Sequence, residues 1–321
     1  MESKFLKFLI NLIPNKRERM LLRNKYLGQE LPEDWPERLR TSHNRRHIYV
    51  KQDGLDIIYN VLMSKNPCLI CRYGSLELDQ LDQFVKNKNR QISFRNKDFI
   101  SNNAGFFPAT DYYLSRFAYE MGEVSKNIDV IGIRYFESEF LMCDLYAKNA
   151  TIVSQDALNV DNFLSNKPFT RALRGKKVLV IHPFVETMKK QYVKRELLFN
   201  NPDILPKCDI KYIKAVQSIA DEKNDLPFDT WFDALSYMKS EIQKVDFDIA
   251  IIGCGAYGIF LAEYCKQIGK KAIHMGGATQ LLFGIKGKRW DDMGIYNGYW
   301  VRPDETERPK GLEKVEEGCY W

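Results

Sequence analysis

The stretch DIAIIGCGAYG, residues Asp248–Gly258, decides the fold. The apolar run Phe247–Gly253 reads as a strand, the glycines as a tight turn, and Tyr257–Ile268 as a helix. Strand, glycine turn and helix in that order make a βα unit, the building block of a parallel sheet. Glycine lets a backbone approach a ligand closely, and the first turn of a helix offers N–H groups to a phosphate. Gly253, Gly255, Tyr257 and Gly258 are therefore candidate nucleotide or phosphate contacts, with a purely structural turn as the alternative. A dinucleotide site would need an acidic residue closing the next strand, about 20 residues on. That strand ends instead in His274-Met275-Gly276-Gly277, and the unit comes late in the chain, which disfavours an NAD(P)-dependent oxidoreductase.

The same alternation extends outward from this unit. Strands are expected at Pro67–Arg72, Asp129–Ile133, Thr151–Ser154, Lys177–His182, Asp209–Ile213 and Lys271–Met275. Helical patterns separate them at Leu76–Lys86, Thr110–Val124, Ser138–Lys148, Val185–Phe199 and Thr230–Val245. The fold class is α/β, Rossmann-like, with a mainly parallel sheet flanked by helices. In such sheets ligands bind beyond the carboxyl ends of the strands. Polar or Gly-rich residues follow several strands there: Arg72-Tyr73-Gly74, Arg134-Tyr135-Phe136-Glu137, Gln155-Asp156, His182-Pro183 and Gly253–Gly258. Core packing does not account for all of them together, and their convergence points to a site.

A second strand–turn–helix junction reads Cys71-Arg72-Tyr73-Gly74-Ser75-Leu76-Glu77. Arg72 can pair with phosphate through two N–H groups at once. Glu77 suits the first turn of a helix electrostatically, or serves as a general base or a metal ligand beside a diphosphate. Together the two junctions resemble GT-D glycosyltransferases, whose signature is an Arg-x-Gly-Asp-Gly-Glu-like turn carrying a D-x-E motif. Arg72, Gly74 and Glu77 match that turn, and Ser75 stands at its first acidic position. The late Gly-rich unit through Ile273-His274-Met275-Gly276 is similar to the family's second element. Gly276–Trp290 and the closing Gly318-Cys319-Tyr320-Trp321 resemble a bacterial surface-polysaccharide subgroup.

The resemblance spans roughly residues 54–290 and implies sugar transfer from a nucleotide donor, commonly a UDP-sugar, to a surface-glycan or lipid-linked glycan acceptor. It also implies Mn²⁺ or Mg²⁺, with Glu77 as ligand. Serine is a poor ligand for such hard cations, so Asp79 or Asp82 would have to help, or arginines and helix N-termini would neutralise the diphosphate without metal. A non-catalytic nucleotide- or glycan-binding module is the alternative that Ser75 keeps open.

Further candidates have bland counterparts. Asn102-Asn103-Ala104-Gly105 reads as a polar turn, with Asn103 orienting sugar hydroxyls or the turn capping a helix against Thr110 as the competing N-cap. His182 and His274 end strands and either touch the ligand or serve as structural histidines. Asp156 reads as an N-cap, a ribose contact or a base. Thr279 and Gln280 follow paired glycines and are expected to line the pocket. The aromatic tail, Trp290, Tyr299, Trp300 and Trp321, packs as an arm or stacks on sugar rings.

Composition sets the outer limits. With 45% hydrophobic and 28% charged residues, the 321-residue chain has the make-up of a globular domain. The excess charge of +6 sits largely in residues 1–50, with 11 Lys/Arg against 6 Asp/Glu. No nucleic-acid motif accompanies it. Phe5–Ile13 (FLKFLINLI), beside Lys16-Arg17-Glu18-Arg19, is too short to span a bilayer and lacks a cleavage site. Residues 1–25 are expected either to lie on an anionic membrane surface or to pack as a helix on the domain or a partner subunit. Seven cysteines give no disulfide framework, and Cys68 and Cys71 are expected as buried thiols in a reducing cytoplasm. Three regions follow: a basic helical segment and connector at 1–50, the α/β catalytic domain at 51–290, and an irregular tail at 291–321 packed on it.

Overall fold

The computed structural model describes residues 46–87, 92–315 and 318–321. The segment Phe5–Ile13, and the rest of the basic segment and connector read at 1–50 as far as residue 45, lie outside the described residues. In chain order the elements are β1 (Ile48–Tyr49), α1 (Lys51–Met63), β2 (Cys68–Arg72), α2 (Ser75–Lys86), α3 (Lys97–Ala104), α4 (Asp111–Ser125) and β3 (Val130–Ile133). Then come α5 (Glu137–Leu145), β4 (Thr151–Ser154), α6 (Val160–Leu164), β5 (Lys177–His182), α7 (Val185–Tyr192), α8 (Arg195–Leu198) and β6 (Asp209–Lys214). The last are α9 (Trp231–Gln243), β7 (Ile249–Ile252), α10 (Gly258–Gln267), β8 (Lys271–His274) and α11 (Ala278–Leu282), with short 3₁₀ turns between several of them.

The strands form one sheet in the order β1-β4-β3-β2-β8-β7-β5-β6. Strands β2 to β8 pair in parallel, with Ile70 opposite Val130 on one side and Ile273 on the other. A sheet covered on both faces needs apolar residues at every position, which is why its strands read as continuous apolar runs. In β5, Val178 and Val180 enter one core with Leu55, Ile58 and Leu62 of α1. Leu179 and Ile181, also buried, point to the other face. That second face is covered by α10, which packs on β2, β7 and β8 and against α4 and α9. Strand β6 is the exception: as an edge it alternates half-buried and exposed residues and carries Lys211 and Lys214.

All seven expected strands form, while several helix expectations need correction. Val185–Phe199 is two helices, α7 and α8, with the chain turning at Val193–Lys194 just after Tyr192. The Tyr192 hydroxyl bonds the Cys208 backbone at 2.8 Å, tying that corner to the start of β6. Asn102-Asn103-Ala104 is not a free turn but the last turn of α3, closed by Gly105 at φ +72. Thr110 does cap the next helix, accepting from the Tyr113 N–H at 3.4 Å. Asp156 is not the cap of its turn: the Ser154 hydroxyl accepts from the Asp156 N–H. Helix α1, with Leu55, Ile58 and Leu62 on its buried face, is an addition. Cys68 and Cys71 are buried and form no disulfide, and burial pushes the Cys68 thiol up to about 12. Tyr49–Trp321 forms one compact unit.

Candidate functional site

The main cavity opens beyond the carboxyl ends of the strands, where β2 stands between β3–β4 on one side and β8–β7–β5–β6 on the other. Each strand from β2 to β8 delivers residues to it, among them Arg72, Arg134, Gln155, His182, Ser218, Gly253 and His274.

At the end of β2 the chain turns at Gly74 and enters α2 with Ser75. A Cβ on residue 74 would lie 2.0 Å from Oε2 of Glu77, so the carboxylate folds back over the glycine. Glu77 is 9% exposed and lines the cavity. The neighbouring Arg72 is half-buried, and loss of water presses its guanidinium below its ordinary value. Tyr320 and Glu77 oppose that shift, while Arg134 and Arg289 add to it, so three guanidiniums share this end of the cavity.

Arg134 follows β3 and is fixed by a buried carboxylate. Glu139, 0% exposed, accepts from the Arg134 backbone N–H at 2.7 Å, from its Nε at 3.3 Å and from the Phe136 N–H at 3.1 Å. Tyr135 between them has φ +65, a left-handed conformation that a non-glycine residue holds only when its surroundings enforce it. The far end of Arg134 reaches across to α2, where Nη1 donates to the Ser75 hydroxyl at 2.6 Å. Ser75 is itself exposed, so this contact stands at the cavity rim.

Two neutral imidazoles line the cavity in opposite tautomers. The His182 Nδ1 accepts from the Phe184 N–H at 3.0 Å, which places the ring proton on Nε2. The His274 Nδ1 lies 3.3 Å from the Ile252 carbonyl oxygen, an acceptor only, so that ring is protonated on Nδ1. Burial lowers both to about 3, with the Arg72 charge adding to the shift at His274. One ring offers a donor at Nε2 and the other a lone pair.

The glycines separate into distinct roles. Gly253 and Gly255 line the cavity, but Gly258 stands outside the lining. A Cβ on Gly258 would lie 2.0 Å from the His274 ring, so this glycine gives clearance to a side chain rather than to a ligand. Thr279 also stands outside the lining: fully buried, it donates to the Ile252 carbonyl at 3.3 Å. Gln280 borders the cavity with its amide committed to the Lys286 and Tyr320 carbonyls. Ser218 donates to the Gly105 carbonyl at 2.6 Å, so the Tyr257 hydroxyl, 2.9 Å away, donates to Ser218. The Tyr257 ring stacks on Trp231 with centroids 4.7 Å apart. Asn103 lines the cavity half-buried, with its amide donating to the Phe99 carbonyl.

The tail builds one wall. Arg289, Trp290, Tyr320 and Trp321 all line the cavity. Gly277 makes room for this, since a Cβ there would meet Tyr320 at 2.2 Å, while Gly276 gives clearance to Arg72, whose Nη2 would lie 2.1 Å from its Cβ. Arg289 Nη1 donates to the Tyr320 hydroxyl at 2.9 Å, and Trp321 packs edge-on against Phe184. Sequence reasoning gave Arg134 only a place among the rim residues and did not name Arg289 or Tyr320 as contacts.

The residues here do not fit a divalent cation. A hard cation takes several oxygen ligands, chiefly carboxylates. The Ser75 oxygen already accepts from a guanidinium, and Glu77 is the one carboxylate in the lining among the described residues. Asp79 accepts from Gln80 and Gln83, Asp82 pairs with Lys86, and neither lines the cavity. Among the described residues no group of three or more His, Cys, Asp or Glu stands together for a metal. No described helix is long and apolar enough to cross a membrane.

No family model matches the chain, and no curated protein does. Among solved structures it is similar to one titled as the selenomethionine-substituted structure of domain of unknown function 1792. That likeness has 11% identity and a TM-score of 0.42 over 82% of this chain and 90% of the other, too slight to carry a function.

Proposed function

We propose that the chain is a glycosyltransferase that moves a hexose from a nucleoside-diphosphate sugar to a hydroxyl of a glycan acceptor. The observation that carries this reading is the meeting of Arg72, Arg134 and Arg289 with the Glu77 carboxylate in one cavity at the strand ends. Guanidiniums match the oxygens of a diphosphate in charge and geometry. Neutral His182 contributes a donor without competing for that charge. The aromatic wall of Trp290, Tyr320 and Trp321 gives a sugar ring an apolar surface to rest on. UDP is the expected nucleotide from the GT-D resemblance, with a bacterial surface glycan, free or lipid-linked, as acceptor at the inner face of the membrane.

In the transfer, the acceptor oxygen forms a bond to the anomeric carbon. The bond from that carbon to the β-phosphate oxygen breaks, and its electron pair leaves with the nucleoside diphosphate. The acceptor proton passes to Glu77, and the arginines stabilise the charge gathering on the leaving group.

One observation favours a second reading. The Glu77 carboxylate folds back over Gly74 in the first turn of α2, where an acidic side chain also stabilises a helix start. Under that reading the chain binds the nucleotide sugar without transferring it. Glu77→Gln separates the two when nucleoside diphosphate release is followed with donor and acceptor present. Loss of turnover with donor binding and fold retained supports transfer through Glu77. Turnover near wild type removes Glu77 from the mechanism, and absence of turnover in the wild type over a broad acceptor panel favours the binding module.

A further inference from the structure

We propose that Arg134 occupies the place of a divalent cation, so that Arg72, Arg134 and Arg289 supply the positive charge that holds the donor diphosphate and binding is independent of metal. The inference rests on the nucleotide-sugar reading above and concerns the charge that meets the diphosphate.

Its first support is position. A cation bridging the side chains at 75 and 77 would need the Ser75 oxygen as a ligand. That oxygen instead accepts from Arg134 Nη1 at 2.6 Å, so a positive group already fills this side of the turn. Its second support is the remaining capacity of the guanidinium. Of its five N–H groups, three reach the Glu139 carboxylate, the Ser75 hydroxyl and the Tyr73 carbonyl, which leaves two for a ligand. The Ser75 oxygen accepts from Arg134, and its own hydrogen is available to a phosphate oxygen.

The third support is rigidity. Glu139 grips Arg134 through both its backbone and its Nε, and the left-handed Tyr135 fixes the chain beyond it. A charge held in this way needs no rearrangement when the leaving group forms, the condition under which electrostatic stabilisation is most effective. Arg134 already pairs with the Glu139 carboxylate, and a second carboxylate at position 75 would outweigh its single charge, whereas serine adds none. The serine and the arginine therefore form a matched pair.

The test uses the full chain, with UDP and inorganic pyrophosphate as calorimetric probes, each in EDTA and in Mn²⁺. The variants are Ser75→Asp, at an exposed position, and Arg134→Lys, which keeps a cation beside Glu139. Wild-type affinities that agree between EDTA and Mn²⁺ are expected, with UDP binding about tenfold weaker in both variants in EDTA. In Ser75→Asp, Mn²⁺ is expected to restore part of the loss. Wild-type UDP binding that requires Mn²⁺ overturns the inference while leaving the donor reading standing. If no nucleotide binds in either medium, the donor reading fails and pyrophosphate judges the arginines. Pyrophosphate binding in EDTA that Ser75→Asp weakens sustains an anion cradle, and its absence overturns that too.

Discussion

Gly258→Ala asks what the Gly-rich turn is for. Gly258 opens α10 with ordinary helical angles, φ −57 and ψ −47. Intrinsic helix preference would favour alanine inside a helix by about 1 kcal/mol. The added Cβ, however, would lie 2.0 Å from both Cε1 and Nδ1 of His274, a ring only 4% exposed and so unable to swing into water. Either the ring turns or α10 shifts, and both disturb the Nδ1–H donation to Ile252. Overpacking of this kind costs about 1–3 kcal/mol. The lost hydrogen bond adds about 1 kcal/mol, which roughly offsets the helix preference. A net destabilisation of about 1–3 kcal/mol is expected, read from urea unfolding followed by tryptophan fluorescence. In a His274→Ala background the space is open, and the same substitution is expected to be neutral or stabilising. The two effects should thus couple by roughly 2 kcal/mol. A Gly258→Ala protein as stable as wild type, or an equal loss in both backgrounds, would refute the clearance role.

Gly276→Ala places a methyl 2.1 Å from Arg72 Nη2 at a residue with φ +63. The backbone cost is about 1–2 kcal/mol, visible in a thermal melt, and the displaced guanidinium should weaken UDP binding by roughly tenfold. His182 and His274 resist protonation in the fold down to about 3, against an ordinary 6.5, so the unfolded chain takes up protons that the folded one refuses. Stability is therefore full above about pH 6.5 and falls as the pH drops toward 3, by up to about 1.4 kcal/mol per pH unit for each ring. Urea midpoints across that window test this, and His274→Ala should remove its share of the slope. Trp231 is fully buried and stacked on Tyr257, so Trp231→Ala should cost about 3–5 kcal/mol in the same assay.

The sheet was legible because its strands are buried on both faces, and the stretch from Val178 to Ile181 and the strand Ile249–Ile252 leave no polar gap. Helix α3 was not legible, since Asn102 and Asn103 carry turn chemistry that the helix overrides, leaving only Gly105 to mark its end. At the site, the rim rule brought out Arg72, Gly74, His182 and Gly253, because strand ends fix where those residues go, while Glu77 came from the turn-and-helix pattern after β2. Arg134 carried the same signal from β3, but only the fold shows its reach across to Ser75. Arg289 and Tyr320 come from the irregular chain after α11, and Tyr320 is admitted by clearance at Gly277 that no local period encodes. Gly258 misled for a related reason: a glycine pattern does not distinguish room for a ligand from room for a histidine.

The most direct measurement of the central claim is a calorimetric titration of the wild-type chain with UDP-sugars, set against GDP- and CMP-sugars and NAD. Saturable binding of one nucleoside-diphosphate sugar, competed by its free nucleoside diphosphate, is the expected result. Binding of NAD in preference, or no binding of any sugar nucleotide, would contradict the claim.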